Sequence, residues 1–282
     1  MSYRDVLVAL TAYPEPTPTA AIDDAVAFAA AVGAKISAVA CEIKLQVPGS
    51  VLGTSLMNVP AMAAAEGRKS ADNAEAMLAA FQQAADKQGV FQDRIHDRCA
   101  IAGVGGVLVE YARLRDLTIV PIVDTEPVGQ DYAQAIIFGS GRPVLVTPAA
   151  RRKPGAFKLD TAVVAWDFSR PAARAVGDAL PLLEKAKQVH VVTVANEKAI
   201  RTDRSGAELA KHLARHGVNV ALETVDAGPH GIGDVLETYV TSHNADLLVM
   251  GAFGHSRFRD FILGGATQSM LARPLVPTLL SH

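Results

Sequence analysis

Between positions 249 and 271 the chain reads VMGAFGHSRFRDFILGGATQSML, with glycines at 251, 254 and 264 and then Gly265, Ala266 and Thr267. An apolar run ending in glycine, a crossover, and a second glycine cluster opening a helical run describe a backbone that lets a ligand come close. Unpaired N–H groups at the helix start then face inward, which suits phosphate. The same glycines also fit tight turns alone. His255 follows Gly254, with Arg257 and Arg259 just beyond, so this loop carries cations that either close over phosphates or are solvated. A carboxylate, Asp167, follows another apolar run in AVVAWDFS, and Val194 lies near the end of VVTVANE. If these runs are strands of one open parallel sheet, Asp167, Val194 and Gly251 share its carboxyl edge, where such sheets bind ligands. A carboxylate there can accept a hydrogen bond from a ribose hydroxyl or an adenine amino group. Asp167 also reads as a helix cap, because SRPAAR follows it.

Other constellations are weaker. His212 and His216 have the spacing that places two imidazoles on one metal, but no third ligand stands at motif spacing and no H-E-x-x-H is present, so no metal is expected. GIGDVL lacks the third glycine of a dinucleotide fingerprint, and neither a GxxxxGK[ST] loop nor a G-x-S-x-G elbow occurs. Cys41 and Cys99 are far apart in sequence with no CxxC pair; they read as two buried thiols, with a redox pair as the alternative.

The elements that must position these residues come in two copies. VLVALTAY at 6–13 resembles AVVAWDFS at 162–169, GVGGVLVEY at 103–111 resembles GIGDVLETY at 231–239, and PVLV at 143–146 resembles PTLL at 277–280, all in the same order. Ordered matches of this kind indicate duplication. Short apolar runs alternate with helical patterns in each half, which predicts a parallel sheet with crossover helices. Second-half strands are expected near 161–167, 188–195, 218–225, 245–251 and 276–280. Ser205 and Glu208 form a capping box, and Gly217 stands where the helix should stop. A long Ala-rich helix is expected near 61–88, after a loop at 44–60 that is a surface excursion, an interface or a lid. The basic, Pro-containing stretch at 149–160 reads as a linker, dividing the chain into domains 1–150 and 158–282.

Composition agrees. Half of the residues are apolar and a fifth charged, so a core can be filled, and the formal net charge of -2 offers no basic surface for nucleic acid. The first residues lack a signal-peptide pattern and no run is long enough to span a membrane, so a cytoplasmic protein is expected.

The element order, the Asp after the first strand of the second half, the G-x2-G-x9-G loop and the closing P-x-L-L resemble the universal stress protein family in its tandem form. The resemblance implies an α/β fold of two tandem five-stranded parallel-sheet domains, Rossmann-like and of the adenine-nucleotide-binding type. It implies ATP, ADP or AMP, with or without Mg, bound in domain 158–282. Adenine and ribose would lie near Asp167 and Val194, and phosphates against Gly251, Gly254, His255, Gly264, Gly265, Ala266 and Thr267. It also implies domain pairing through the last strands, within the chain or in a homodimer. The family pattern has Ser or Thr after the third glycine, where this chain has Gly265; losing that hydroxyl should cost about 1–3 kcal/mol toward a terminal phosphate, so AMP and ADP should bind nearly as well as ATP. The first half has Thr11 in place of Asp167 and Ile122 in place of Gly251. Its span from Ile122 to Pro143 is also shorter than that from Gly251 to Pro277, so it should not hold a nucleotide in the same way. The expected function is sensing or regulation under stress, with no catalytic residue and at most slow ATP hydrolysis. The rivals are a nucleotide-independent interaction or small-ligand protein with a decayed site, and a slow ATPase.

Overall fold

A computed structural model describes residues 2–45, 59–123, 127–149, 157–195, 205–252 and 265–282. The first half runs β1 (Asp5–Leu10), α1 (Thr19–Val32), β2 (Lys35–Ile43), α2 (Val59–Lys87), β3 (Phe91–Cys99), a 3-10 turn, α3 (Val104–Arg113), β4 (Leu117–Ile122), α4 (Val128–Gly139) and β5 (Val144–Pro148). The second repeats the order: β6 (Thr161–Ala165), α5 (Arg170–Leu183), β7 (Gln188–Ala195), α6 (Ser205–Arg215), β8 (Val220–Asp226), α7 (Ile232–Ser242), β9 (Leu247–Gly251), α8 (Gly265–Ala272) and β10 (Thr278–Ser281). Most of the loop expected at 44–60 and of the linker at 149–160 lies outside the described residues.

Burial along the strands follows their place in the sheet. β4 is buried at every position, as a strand covered on both faces must be. β3 and β8 alternate half-buried with exposed residues and are the two outermost strands. Helix α1 turns Ile22, Ala25, Val26, Ala29 and Val32 inward and stops at Gly33, whose φ of 77° lets its N–H reach the carbonyls of Ala29 and Ala30. Gly217, with φ 76°, follows α6 as its position in the sequence predicts. The Glu208 carboxylate pairs with Lys211 at 2.7 Å; the side chain of Ser205, its expected capping partner, lies outside the described residues.

All ten strands form one sheet in the order β3-β2-β1-β4-β5-β10-β9-β6-β7-β8. Every neighbouring pair within a half is parallel, whereas β5 and β10 meet antiparallel with Leu145 opposite Leu279. The carboxyl edges of the two halves therefore point in opposite directions. One face is covered by α1, α2, α5 and α6, packed through residues such as Phe28, Phe81, Leu182 and Leu213. The other is covered by α3, α4, α7 and α8 through Leu108, Ile136, Val240 and Met270. The halves also touch away from the seam: the Tyr3 hydroxyl donates to the Asp178 carbonyl, Lys185 donates to the Val32 carbonyl at 3.1 Å, and the rings of Phe28 and Phe157 meet edge-on at 5.0 Å.

The repeated glycine in GVGG and GIGD has a packing cause. A Cβ on Gly105 would lie 3.2 Å from Ala135 of α4, and one on Gly233 only 2.7 Å from Ser269 of α8. Each therefore lets the third helix of its half sit close against the fourth. Cys41 is buried, Cys99 half-buried, and both are free thiols. No described helix is long and apolar enough to cross a membrane.

Candidate functional site

In the second half β6 leads to β7 on one side in space, while β9 lies on the other. The helices that follow β6 and β9 cover opposite faces, α5 on one and α8 on the other. The carboxyl edge between β6 and β9 is thus the switch point in strand order, where open α/β sheets form the crevice that holds ligands.

The register brings the sequence-expected residues to that edge. Ala165 pairs with Val192, so continuing the β6–β7 ladder sets Asp167 level with Val194; Val164 pairs with Val249, which sets Trp166 level with Gly251. The Trp166 N–H donates to the Val192 carbonyl at 2.8 Å and carries the ladder past the end of β6. Asp167 is half-buried, and its Oδ1 accepts the N–H of Ser169 at 3.0 Å. The cap of α5 is Ser169, not Asp167: its hydroxyl accepts the N–H of Ala172 at 3.2 Å. Asp167 instead braces the turn leading to that cap.

Between them stands Phe168, at φ 59° and 56% exposed. A bulky residue in the left-handed region costs on the order of 1–3 kcal/mol, and such strain gathers at functional sites. Nothing in the spacing of the sequence singles out Phe168, because a positive φ is a property of the folded turn.

Gly251 ends β9. A Cβ there would lie 2.5 Å from the Ala172 nitrogen and 2.6 Å from the Pro171 carbonyl carbon. The bare backbone thus admits the first turn of α5, a demand already met without any ligand. Gly265 opens α8 with nothing near its absent Cβ among the described residues, and Ala266 beside it is half-buried. Thr267 is 2% exposed, so its hydroxyl is not on the open surface of the helix start. Because β9 runs toward the carboxyl edge and α8 must return to begin β10 at the opposite edge, the N-terminus of α8 faces the crevice. Gly254, His255 and Gly264 lie outside the described residues.

The equivalent edge of the first half is filled. The Thr11 N–H donates to the Thr17 hydroxyl at 2.9 Å within the connection to α1. Helix α2 overhangs the strand ends: Ser70 accepts the Ile43 N–H at 3.0 Å, Asn73 donates to the Ala12 carbonyl at 3.0 Å, and Lys69 pairs with Glu15 at 3.3 Å. Beside it, α4 starts soon after β4, and a Cβ on Gly129 would lie 3.1 Å from the Pro121 carbonyl oxygen.

Known proteins match the second half by family and the whole chain by fold. Residues 158–282 match the model of the universal stress protein family. The second half is a universal stress protein domain. The whole chain resembles a universal stress protein from Archaeoglobus fulgidus DSM 4304, at 16% identity over 98% of this chain and 95% of that one, with a TM-score of 0.69. It also resembles a putative universal stress protein from Pseudomonas aeruginosa UCBPP-PA14, at 13% identity over 99% of this chain and 93% of that one, with a TM-score of 0.57. At these identities the likeness is one of fold. A universal stress protein solved in complex with cAMP matches 44% of this chain and 97% of its own length, at 20% identity and a TM-score of 0.34. Comparison with curated proteins finds no match.

Proposed function

We propose that this chain is a stress-response protein whose universal stress protein domain holds an adenine nucleotide at the switch-point crevice. The observation that carries the reading is the convergence of Asp167, Gly251 and the N-terminus of α8 on one carboxyl edge, beside an exposed aromatic ring. Asp167 accepts from the ribose or the adenine amino group, and Phe168 offers that base a face to lie against. The backbone N–H groups of Gly265 and Ala266 and the start of α8 meet the phosphates. Gly254, His255 and Gly264 complete the phosphate loop in this reading. Without a hydroxyl at Gly265, and with the Thr267 hydroxyl packed inward, the terminal phosphate of ATP gains little over AMP or ADP.

The nucleotide acts as a signal read by the fold, with hydrolysis slow. The first half, its edge closed by α2, serves as the built-in strand partner of the second. Calorimetry on nucleotide-free protein tests this: ATP, ADP and AMP should bind with similar affinities. No binding of any of them at millimolar concentration would overturn the reading.

A further inference from the structure

Well away from the crevice, three side chains of metal-ligating type converge on the second half. His190 comes from β7, Glu223 from the outermost strand β8, and His243 from the residue that ends α7. His190 pairs with Ala221, so Glu223 is its diagonal neighbour on the same face of the sheet. One ligand atom from each of the three lies within 4.8 Å of the other two, and all three residues are half-buried. We propose that His190, Glu223 and His243 form a binding site for a divalent transition ion of the Zn2+ class.

The orientation of the rings supports this. The Nδ1 of His243 lies 2.9 Å from the Tyr239 carbonyl oxygen, an acceptor only, so Nδ1 carries the proton and Nε2 the lone pair. A backbone carbonyl that fixes the tautomer of a ligating imidazole is the usual outer support of a histidine metal ligand. Tyr239 also stacks on His243, with centroids 4.0 Å apart and planes 16° from parallel, which holds the ring in place. The Tyr239 hydroxyl lies 2.9 Å from Nδ1 of His190, and Glu223 Oε1 lies 3.0 Å from the same nitrogen. The site also sits at the C-terminal end of α7, the negative end of the helix dipole, which favours positive charge.

Two imidazoles and a carboxylate are a known donor set for Zn2+, leaving a fourth position for water. Tetrahedral ligands at zinc bond lengths stand about 3.3 Å apart, so with the three atoms within 4.8 Å of one another the widest pair need contract by about 1.5 Å at most. The exposed flank of β8 allows that movement. His190 lies four positions before Val194, about 13 Å along the strand at ~3.3 Å per residue, so this site and the crevice can be loaded separately.

The test uses the full chain, stripped with a chelator and titrated with Zn2+, with Co2+ as a spectroscopic probe. One equivalent should bind, and the Co2+ complex should show the visible absorption of a nitrogen- and oxygen-ligated ion of low coordination number. His243→Asn and Glu223→Gln should each weaken binding by tenfold or more, with circular dichroism reporting that the fold is kept. Glu223 is the safer probe of the two, since it lies on the outermost strand. The pair His212 on α6 and His216 just past its end, whose rings stand 4.9 Å apart, is the competing source of metal affinity. His212→Asn combined with His216→Asn should leave the equivalent bound. Absence of Zn2+ binding, binding that follows His212 and His216, or binding unchanged in both Glu223→Gln and His243→Asn would overturn the proposal.

Discussion

In the proposed function Asp167 carries two duties that can be separated. Its Oδ1 receives the Ser169 N–H, and an amide oxygen can do the same, so Asp167→Asn should keep this turn. Removing the charge should still weaken nucleotide binding by roughly 10- to 100-fold, the range for hydrogen bonds to charged groups, which calorimetry can read. The reverse experiment is Gly265→Ser. Among the described residues nothing lies within 4 Å of the absent Cβ, so the fold should accept it, and ATP affinity should rise severalfold while AMP affinity stays constant. The cysteines give a third expectation. Burial, and then the neighbouring Cys99 thiol, push the Cys41 thiol well above its ordinary range, and burial also raises Cys99. Both should react slowly with thiol reagents until the chain unfolds. An unfolded thiol ionises near pH ~8.5, whereas native Cys41 keeps its proton, so the unfolded state binds fewer protons above that pH. Stability is fully present below ~8.5 and falls by up to about 1.4 kcal/mol per pH unit above it; Cys41→Ala should flatten that part of a urea-stability profile. At this scale Asp167, Val194 and Gly251 were legible, because residue type and strand position suffice to bring them to one edge. Phe168 and the inward turn of Thr267 were not, since both depend on the local path of the folded chain.

Elements were legible wherever periodicity and punctuation agreed. The strand expected at 188–195 is β7 as observed, and the Ala-rich helix expected near 61–88 is α2, Val59–Lys87. The role of α2 was not legible. Ser70 and Asn73 reach Ile43 and Ala12 across 27 and 61 positions, and no local pattern announces contacts of that separation. Gly251 meets a packing demand beside its expected place at the ligand edge, admitting the first turn of α5. With a Cβ set 2.5 Å from a backbone nitrogen, Gly251→Ala should destabilise the protein by about 1–3 kcal/mol even without nucleotide, as denaturant melts would report. A loss seen only in nucleotide affinity would contradict this packing account. Gly233→Ala should cost more than Gly105→Ala, because its Cβ would meet Ser269 at 2.7 Å where Gly105 meets Ala135 at 3.2 Å.

At the scale of the whole molecule, duplication was legible from the ordered matches, but the continuity of the sheet was not. The continuous apolar runs of β5 and β10 say that both are buried; they do not say that the two strands pair with each other. Leu145 and Leu279 face across that seam with no exposure, and Leu279→Ala should cost about 2–5 kcal/mol. A fragment comprising 158–282 would lose β5 and leave the edge of β10 open. Such an edge recruits another strand, so the fragment should self-associate in sedimentation where the full chain does not use this edge. The closed edge of the first half has a consequence for signalling. Two working sites joined through one sheet could influence each other, and a steep, switch-like response would be open to the protein. With α2 lying over one of them, saturation should stop at a single nucleotide per chain, with a Hill coefficient of about one. The output would then track nucleotide concentration in proportion over a broad range, as a gauge does rather than a trigger.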